Sequence, residues 1–410
     1  MTARPSWIAA LGATLLMQSV ASFLTQSLPV LAPLVTASAG LPPETIGHLN
    51  ALAALGTVLF LLLGGPFLAR WGPVRTLQIG AALSAGAMLL LGLGTPAALL
   101  LASLLLGLGY GPSPPAGSRI LAASAPKGHR TLIFSVKQAG APLGGACAGL
   151  VTAAVAERFG WPAALLLAVA VALLAAAAIQ PLKPGLDAER NAAEPIGPRA
   201  VLQAKNWKRP LRALRLHPAL PPLTVLAVSF AALQGCLFAF TVTWMEGPLG
   251  LSLAAAGGVF AAMQGTGVVA RILLGWLADR GGAPMRNLLV QGVAASVAGL
   301  LFALLAPAAS PLGLHLLAAL CGFVAASWNG IYLAEVARLV PPAEVAAATS
   351  GSTLFTFLGY LAAPALFALL ISAGLGWGTA FAIVAAQLGF ATLLVALALR
   401  RNGMKDLARP

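Results

Sequence analysis

The feature that most restricts this chain is a succession of apolar runs, most of them longer than 20 residues, with no alternation of polar and apolar positions. A hydrocarbon core of about 30 Å takes about 20 helical residues to cross, so each run reads as a membrane helix. A membrane barrel would instead show segments of about ten residues with strict alternation. Only 8% of the residues are charged and 59% are hydrophobic, whereas a soluble domain carries about 25% charged residues. A soluble enzyme, a nucleic-acid-binding protein and a disordered scaffold are excluded on that ground.

Glycine, proline and charge punctuation divides the chain into twelve spans, at 8–34, 45–69, 76–94, 98–122, 132–156, 162–182, 221–245, 252–278, 288–307, 312–338, 346–372 and 377–399. The first begins at Trp7 and runs past Val30, too long for the apolar region of a cleavable signal. Cys147, Cys236 and Cys321 lie inside apolar runs at no metal-ligand spacing, so neither a disulfide framework nor a metal site is expected. No cofactor is expected either.

The net charge is +14, and its placement matters more than its size. With the N-terminus inside, 20 of the 24 Lys and Arg residues fall on inner segments and one, Arg158, on an outer loop. That excess orients the chain with both termini cytoplasmic, as in a bacterial-type inner membrane. Arg119, Lys137 and Arg271 fall within spans.

The longest polar stretch, Lys183 to His217, separates spans six and seven. It ends in a basic amphipathic segment, with Val201, Leu202 and Trp207 among Lys205, Lys208, Arg209 and Arg212. Such a segment suits the inner leaflet surface, or equally a linker followed by a short surface helix. The expected organisation is a first six-helix bundle over 1–182, a linker over 183–220, a second bundle over 221–400 and a tail over 401–410. The halves are related: Gly65, Arg70 and Gly72 match Gly275, Arg280 and Gly282 at an offset of 210, and Arg75 matches Arg286 after a one-residue slip. Duplicated bundles are common in secondary transporters, with the substrate between them at mid-membrane.

Gly275-x-Leu-Ala-Asp279-Arg280-x-Gly282 resembles the signature of the major facilitator superfamily, at the position where that family carries it. The resemblance covers essentially the whole chain and implies an all-α membrane protein of twelve helices in two pseudo-symmetric bundles, acting by alternating access. It implies that Asp279, Arg280, Gly275 and Gly282, with Arg70 and Arg75 of the first half, latch an inner gate. Ala69 stands where the first-half aspartate belongs, and Ser103 replaces the fourth-helix arginine tied to proton coupling. Gly140-Ala-Pro142-Leu-Gly144-Gly145 only loosely resembles the antiporter motif. Arg271 resembles the arginine with which oxalate/formate-type and monocarboxylate-type members hold a carboxylate. Neither the span-eleven lysine of the former nor the acidic partner of the latter is present.

A charge deep in a span costs about 2.5–3.5 kcal/mol by insertion scales and normally faces a cavity or a partner. Arg271 lies eight residues from Asp279, about 12 Å. It is read as the cation that orients a substrate carboxylate; the alternative is a brace to backbone carbonyls. Gln264 shares its helical face. Lys137, beside Gln138, either snorkels to the interface or binds substrate. Arg119, and the pair Glu335 and Arg338, are read as gate or interface elements. Polar stripes mark further lining candidates: Gln18 and Gln26 on span one, Asn329 and Tyr332 on span ten, Tyr360 on span eleven. His48, His129, His217 and His315 are scattered without partners, which argues against an enzyme.

The expected function is transport of a small organic anion across the bilayer, by a monomer, with proton coupling left open. The alternative is efflux of a drug or metabolite.

Overall fold

The computed structural model describes residues 5–126, 130–197, 203, 212–281, 283–341 and 344–401. Among them are twelve helical spans long and apolar enough to cross a membrane. These are α1 (Trp7–Ser38), α2 (Pro43–Leu63), α3 (Pro73–Leu91), α4 (Pro96–Ser124), α5 (Ile133–Phe159) and α6 (Trp161–Leu186) in the first half. The second half holds α7 (Leu220–Glu246), α8 (Leu253–Leu277), α9 (Pro284–Ala308), α10 (Pro311–Arg338), α11 (Ala347–Ser372) and α12 (Trp377–Arg401). No strand occurs among the described residues.

Local chemistry sets the helix ends. Thr95 and Ser310 cap α4 and α10, accepting from the Ala98 and Gly313 N–H groups, and each is followed by proline at the first helical position. A capping hydroxyl with proline behind it satisfies an orphan donor and removes another. One expectation needs correction. The second span does not run to residue 69: α2 stops at Leu63, and Gly64-Gly65-Pro66 starts a separate short helix, Gly65–Trp71. Gly72 then turns the chain with φ 86°, a region open to glycine at little cost.

The same packing recurs in each half. α1 packs on α5, α2 on α4, α3 on α4 and α6, and α1 on α6. In the second half α7 packs on α11, α8 on α10, α9 on α10 and α12, and α7 on α12. The closest approaches repeat too. A Cβ on Gly107 would strike the Ala53 carbonyl of α2, and one on Gly322 the Met263 carbonyl of α8. Small residues at such crossings let backbones approach where no hydrophobic drive separates helix from lipid. Thr57 Oγ1 donates across the first crossing to the Gly107 carbonyl (3.1 Å), and Thr266 Oγ1 across the second to that of Ala319 (2.8 Å).

Both α4 and α10 break midway, at Gly111–Pro112 and at Ala326–Trp328, positions 215 residues apart. In α4 the prolines 112, 114 and 115 remove hydrogen bonds. In α10 the freed carbonyls are met by side chains: Ser327 Oγ donates to the Phe323 carbonyl and Gln291 Nε2 to that of Val324. Broken backbone at membrane depth survives only with such cover.

The halves meet chiefly through α2 on α11 and α5 on α8, with α1 against α7. Contacts at the end remote from the chain termini are tight. Gly47 lies against the Pro364 carbonyl, and Gly149 and Gly257 face each other backbone to backbone. There Ser372 Oγ donates to Glu44 Oε1 (3.2 Å), and the Ala254 N–H to Glu157 Oε2 (2.6 Å).

Candidate substrate cavity

A cavity of about 240 Å³ lies between the halves, lined from eight spans: α1, α2, α4 and α5, and α7, α8, α10 and α11. It is small against the ~300–1,000 Å³ of ordinary ligand pockets, which suits a cargo of few atoms. Its wall mixes amides, hydroxyls and aromatic rings, the latter from Tyr110, Phe238, Tyr332, Phe357 and Tyr360. Among the described residues Arg271 is the one ionised side chain on that wall.

Arg271 is positioned by two defects in neighbouring helices. Its Nη1 donates to the Gln138 carbonyl of α5 at 2.9 Å. That carbonyl is available because the residue four further on is Pro142, which has no N–H to return. Its Nε donates to the Ala326 carbonyl at 3.0 Å, in the break of α10. The guanidinium therefore braces backbone carbonyls and borders the cavity at once, so the two readings of this residue are not alternatives. Two of its five N–H donors are engaged in those bonds. Tyr110 and Tyr360 line the same cavity.

Gln18 spans Tyr110 and Ser113: Nε2 donates to the Tyr110 hydroxyl (3.1 Å), and Ser113 Oγ donates to Oε1 (2.9 Å). Across the cavity Gln234 Oε1 accepts from Trp328 Nε1 (3.0 Å) and from the Tyr360 hydroxyl (2.8 Å). Gln26, Gln138, Gln264, Asn329 and Tyr332 also line the wall. Lys137 does not join them, nor does it snorkel. It is 1% exposed, with Nζ 3.3 Å from Gln138 Oε1 and its stem packed over Gly117 near Thr14. The α5 face carrying Lys137 turns into the first bundle, where only the absence of a side chain at Gly117 leaves room for it.

A family model described as the Major Facilitator Superfamily matches residues 14–349. The chain belongs to the major facilitator superfamily. It is a multi-pass membrane protein of a transporter superfamily. Similar curated proteins include 4-hydroxybenzoate transporter PcaK of Pseudomonas aeruginosa, 26% identical over 292 residues, and that of Pseudomonas putida, 25% identical over 286 residues. The matched region covers 62% of this chain and 62% of each relative. Among solved structures, an inward-facing, unoccupied bacterial homologue of the lysosomal transporter Spinster superposes with TM-score 0.72 at 15% identity, covering 97% of this chain and 96% of the other. A point mutant of the nucleoside transporter NupG superposes with TM-score 0.71 at 16% identity, covering 95% and 99%. At such identity these structures share the fold alone.

Among the described residues, those read as gate elements lie at the end of the bundle that carries the termini. The Asp279 side chain and Gly282 are outside the described residues, as are the basic segment 204–211 and the tail 402–410. Gly275 lies opposite Ser135 of α5. The Arg280 guanidinium sits 4.0 Å from the ring centroid of Trp276, a cation–π contact. Glu335, fully buried, takes two hydrogen bonds of 2.7 Å from Arg338.

In the first half the chain after α6 folds back over the short helix Gly65–Trp71. Arg70 Nη1 donates to the Glu194 carbonyl (3.0 Å), and the Asn191 N–H to the Ala69 carbonyl (2.9 Å). Arg119 bridges the Leu68 and Glu189 carbonyls. Asp187 accepts from the N–H groups of Val74 (2.7 Å) and Arg75 (3.1 Å), capping α3. A carboxylate thus reaches the loop that Ala69 leaves without one, from the segment that follows α6. Burial pushes the Asp187 carboxyl above the usual aspartate range, against the pull of those two backbone donors.

Tyr110 and Asn50 belong to the wall and were not singled out from sequence, whereas Gln234, seven residues from Thr241 on a polar stripe of span seven, is legible there as a lining candidate. Tyr110 stands just before the proline cluster of α4, and Gln234 is one of few amides in its apolar run. Those were the available signals.

Proposed function

We propose that this transporter carries a small aromatic carboxylate by alternating access, with Arg271 holding the carboxylate. The observation that carries the reading is that, among the described residues, one guanidinium stands on an otherwise uncharged, partly aromatic cavity wall. A lone cation in a pocket of low dielectric favours an anion and repels organic cations. Charge-assisted, bidentate pairing with a carboxylate suits its planar fork. Aromatic side chains offer the faces on which a ring stacks or meets an edge. The names of the Pseudomonas relatives point the same way.

In this reading the carbonyl of Gln138 holds Arg271 while no cargo is bound. An arriving carboxylate competes for the same donor and loosens a tether between the halves. In the same reading the rocking units are 1–182 and 221–400, and the Lys/Arg excess on inner segments supports cytoplasmic termini.

The test is thermal stabilisation of the purified protein by benzoate and by dicarboxylates, repeated with Arg271→Met. Benzoate should raise the melting temperature of the wild type. The variant should bind it at least about tenfold more weakly, the usual worth of a charged hydrogen bond. Lack of stabilisation by any carboxylate, or equal binding by the variant, would refute the assignment.

A further inference from the structure

Two cavity-lining amides keep a buried polar atom without a hydrogen-bond partner: Gln264 Oε1 on α8 and Asn50 Nδ2 on α2. Gln264 is 1% exposed. The neighbouring amides differ, since Gln18 and Gln234 each make two side-chain hydrogen bonds within the wall. Buried polar atoms in folded proteins are nearly always paired, so these two amide orphans, on residues that line one cavity together with Tyr332, whose hydroxyl is also unpartnered, call for a group that enters it. One orphan is an acceptor and the other a donor. A hydroxyl is the smallest neutral group that can both donate to the first and accept from the second.

Their placement relative to Arg271 sets the length of such a ligand. Gln264 and Arg271 are seven residues apart, two turns along one face of α8 and about 10 Å in rise. Their contacts on α5, Gly145 and Gln138, are also seven apart. A Cβ on Gly145 would collide with the Gln264 amide, so glycine there lets that amide lie flat against α5. Guanidinium and amide thus occupy two levels of one groove. Subtracting a hydrogen bond of about 2.9 Å at each end leaves on the order of 5 Å, the span of one substituted six-membered ring.

We infer that Gln264, with Asn50 from the opposite half, reads a hydroxyl at the end of the substrate remote from its carboxylate. This rests on the assignment of Arg271 to the carboxylate. These two residues are the selectivity elements of the site, and Arg271 is its anchor.

The experiment compares dissociation constants of the full-length protein in lipid nanodiscs for benzoate, 4-hydroxybenzoate and 4-methylbenzoate. The methyl compound matches the hydroxyl in size and cannot hydrogen-bond. Wild type should prefer 4-hydroxybenzoate to 4-methylbenzoate by about tenfold or more, as expected where a buried polar site rejects the analogue that leaves it unpaired. Gln264→Met should reduce that preference to about twofold or less, with a monodisperse gel-filtration profile and a cooperative melt as the check that the variant is folded. Asn50→Leu, on another helix, should reduce it in part and carries the test if Gln264→Met does not fold. No preference in the wild type, or an undiminished preference in both variants, overturns the inference. Failure of the carboxylate assignment looks different: benzoate itself would not bind the wild type, and the selectivity assignment would fall with it.

Discussion

A buried amide that serves two partners is the residue whose loss should be felt most. Gln234 Oε1 is the shared acceptor for Trp328 and Tyr360, joining α7 to α10 and α11. Leucine there would strand two buried donors, each costing about 1–3 kcal/mol. Gln234→Leu should therefore lower the melting temperature by the equivalent of about 2–6 kcal/mol, and a melt unchanged from wild type would contradict that role. Residues differ in how far the sequence announces them. Arg271 stands out because a charge so deep needs a reason, and the structure sets it on the cavity wall. Lys137 stands out equally, yet lies inside the first bundle. A polar residue in an apolar run reads the same whether it faces a cavity or a neighbouring helix. Only rotation of the helix about its axis distinguishes them, and packing partners distant in sequence set that rotation.

Elements were more legible than residues. Length and punctuation locate all twelve spans, because the bilayer demands a minimum run of apolar helix whatever the fold. The early end of α2 was missed, since Gly64-Gly65-Pro66 interrupts a run whose hydropathy continues. Two predictions belong at this scale. Gly322→Ala pushes a methyl into the Met263 carbonyl of α8, overpacking of a kind that costs about 1–3 kcal/mol. It should lower thermal stability clearly more than Gly330→Ala, where a Cβ meets nothing within 4 Å. The second concerns the segment capping α3. An acid that holds its proton more tightly folded than unfolded adds stability that is complete below its ordinary value of 3.8 and is lost as pH rises through the elevated one. The wild type should gain on Asp187→Asn as the pH of the melt falls from neutral toward 4. Asp187→Ala should lose about 1 kcal/mol of capping. A gap between wild type and Asp187→Asn that does not vary with pH would show that the carboxyl is not perturbed.

At the scale of the molecule, duplication explains why one set of crossings, caps and helix breaks appears twice, and why the cavity lies on the seam. The seam is closed at the end remote from the termini by glycine meeting glycine. Gly149 of α5 and Gly257 of α8 each leave no room for a Cβ beside the other's carbonyl. Bare backbone on both sides makes a contact that is tight when formed and holds no side chain to be disentangled when it parts. If the halves rock, this seal must open once per cycle, and a bulky residue should prevent it from re-forming. Gly257→Leu should bind benzoate yet transport it at less than about a tenth of the wild-type rate, because closure, not affinity, is removed. In a background with Cys147, Cys236 and Cys321 replaced by serine, a Gln26→Cys reporter on the cavity wall should become reactive toward a membrane-impermeant thiol reagent from that side. Wild-type transport together with an unreactive reporter would mean that the glycine pair is packing and not a gate.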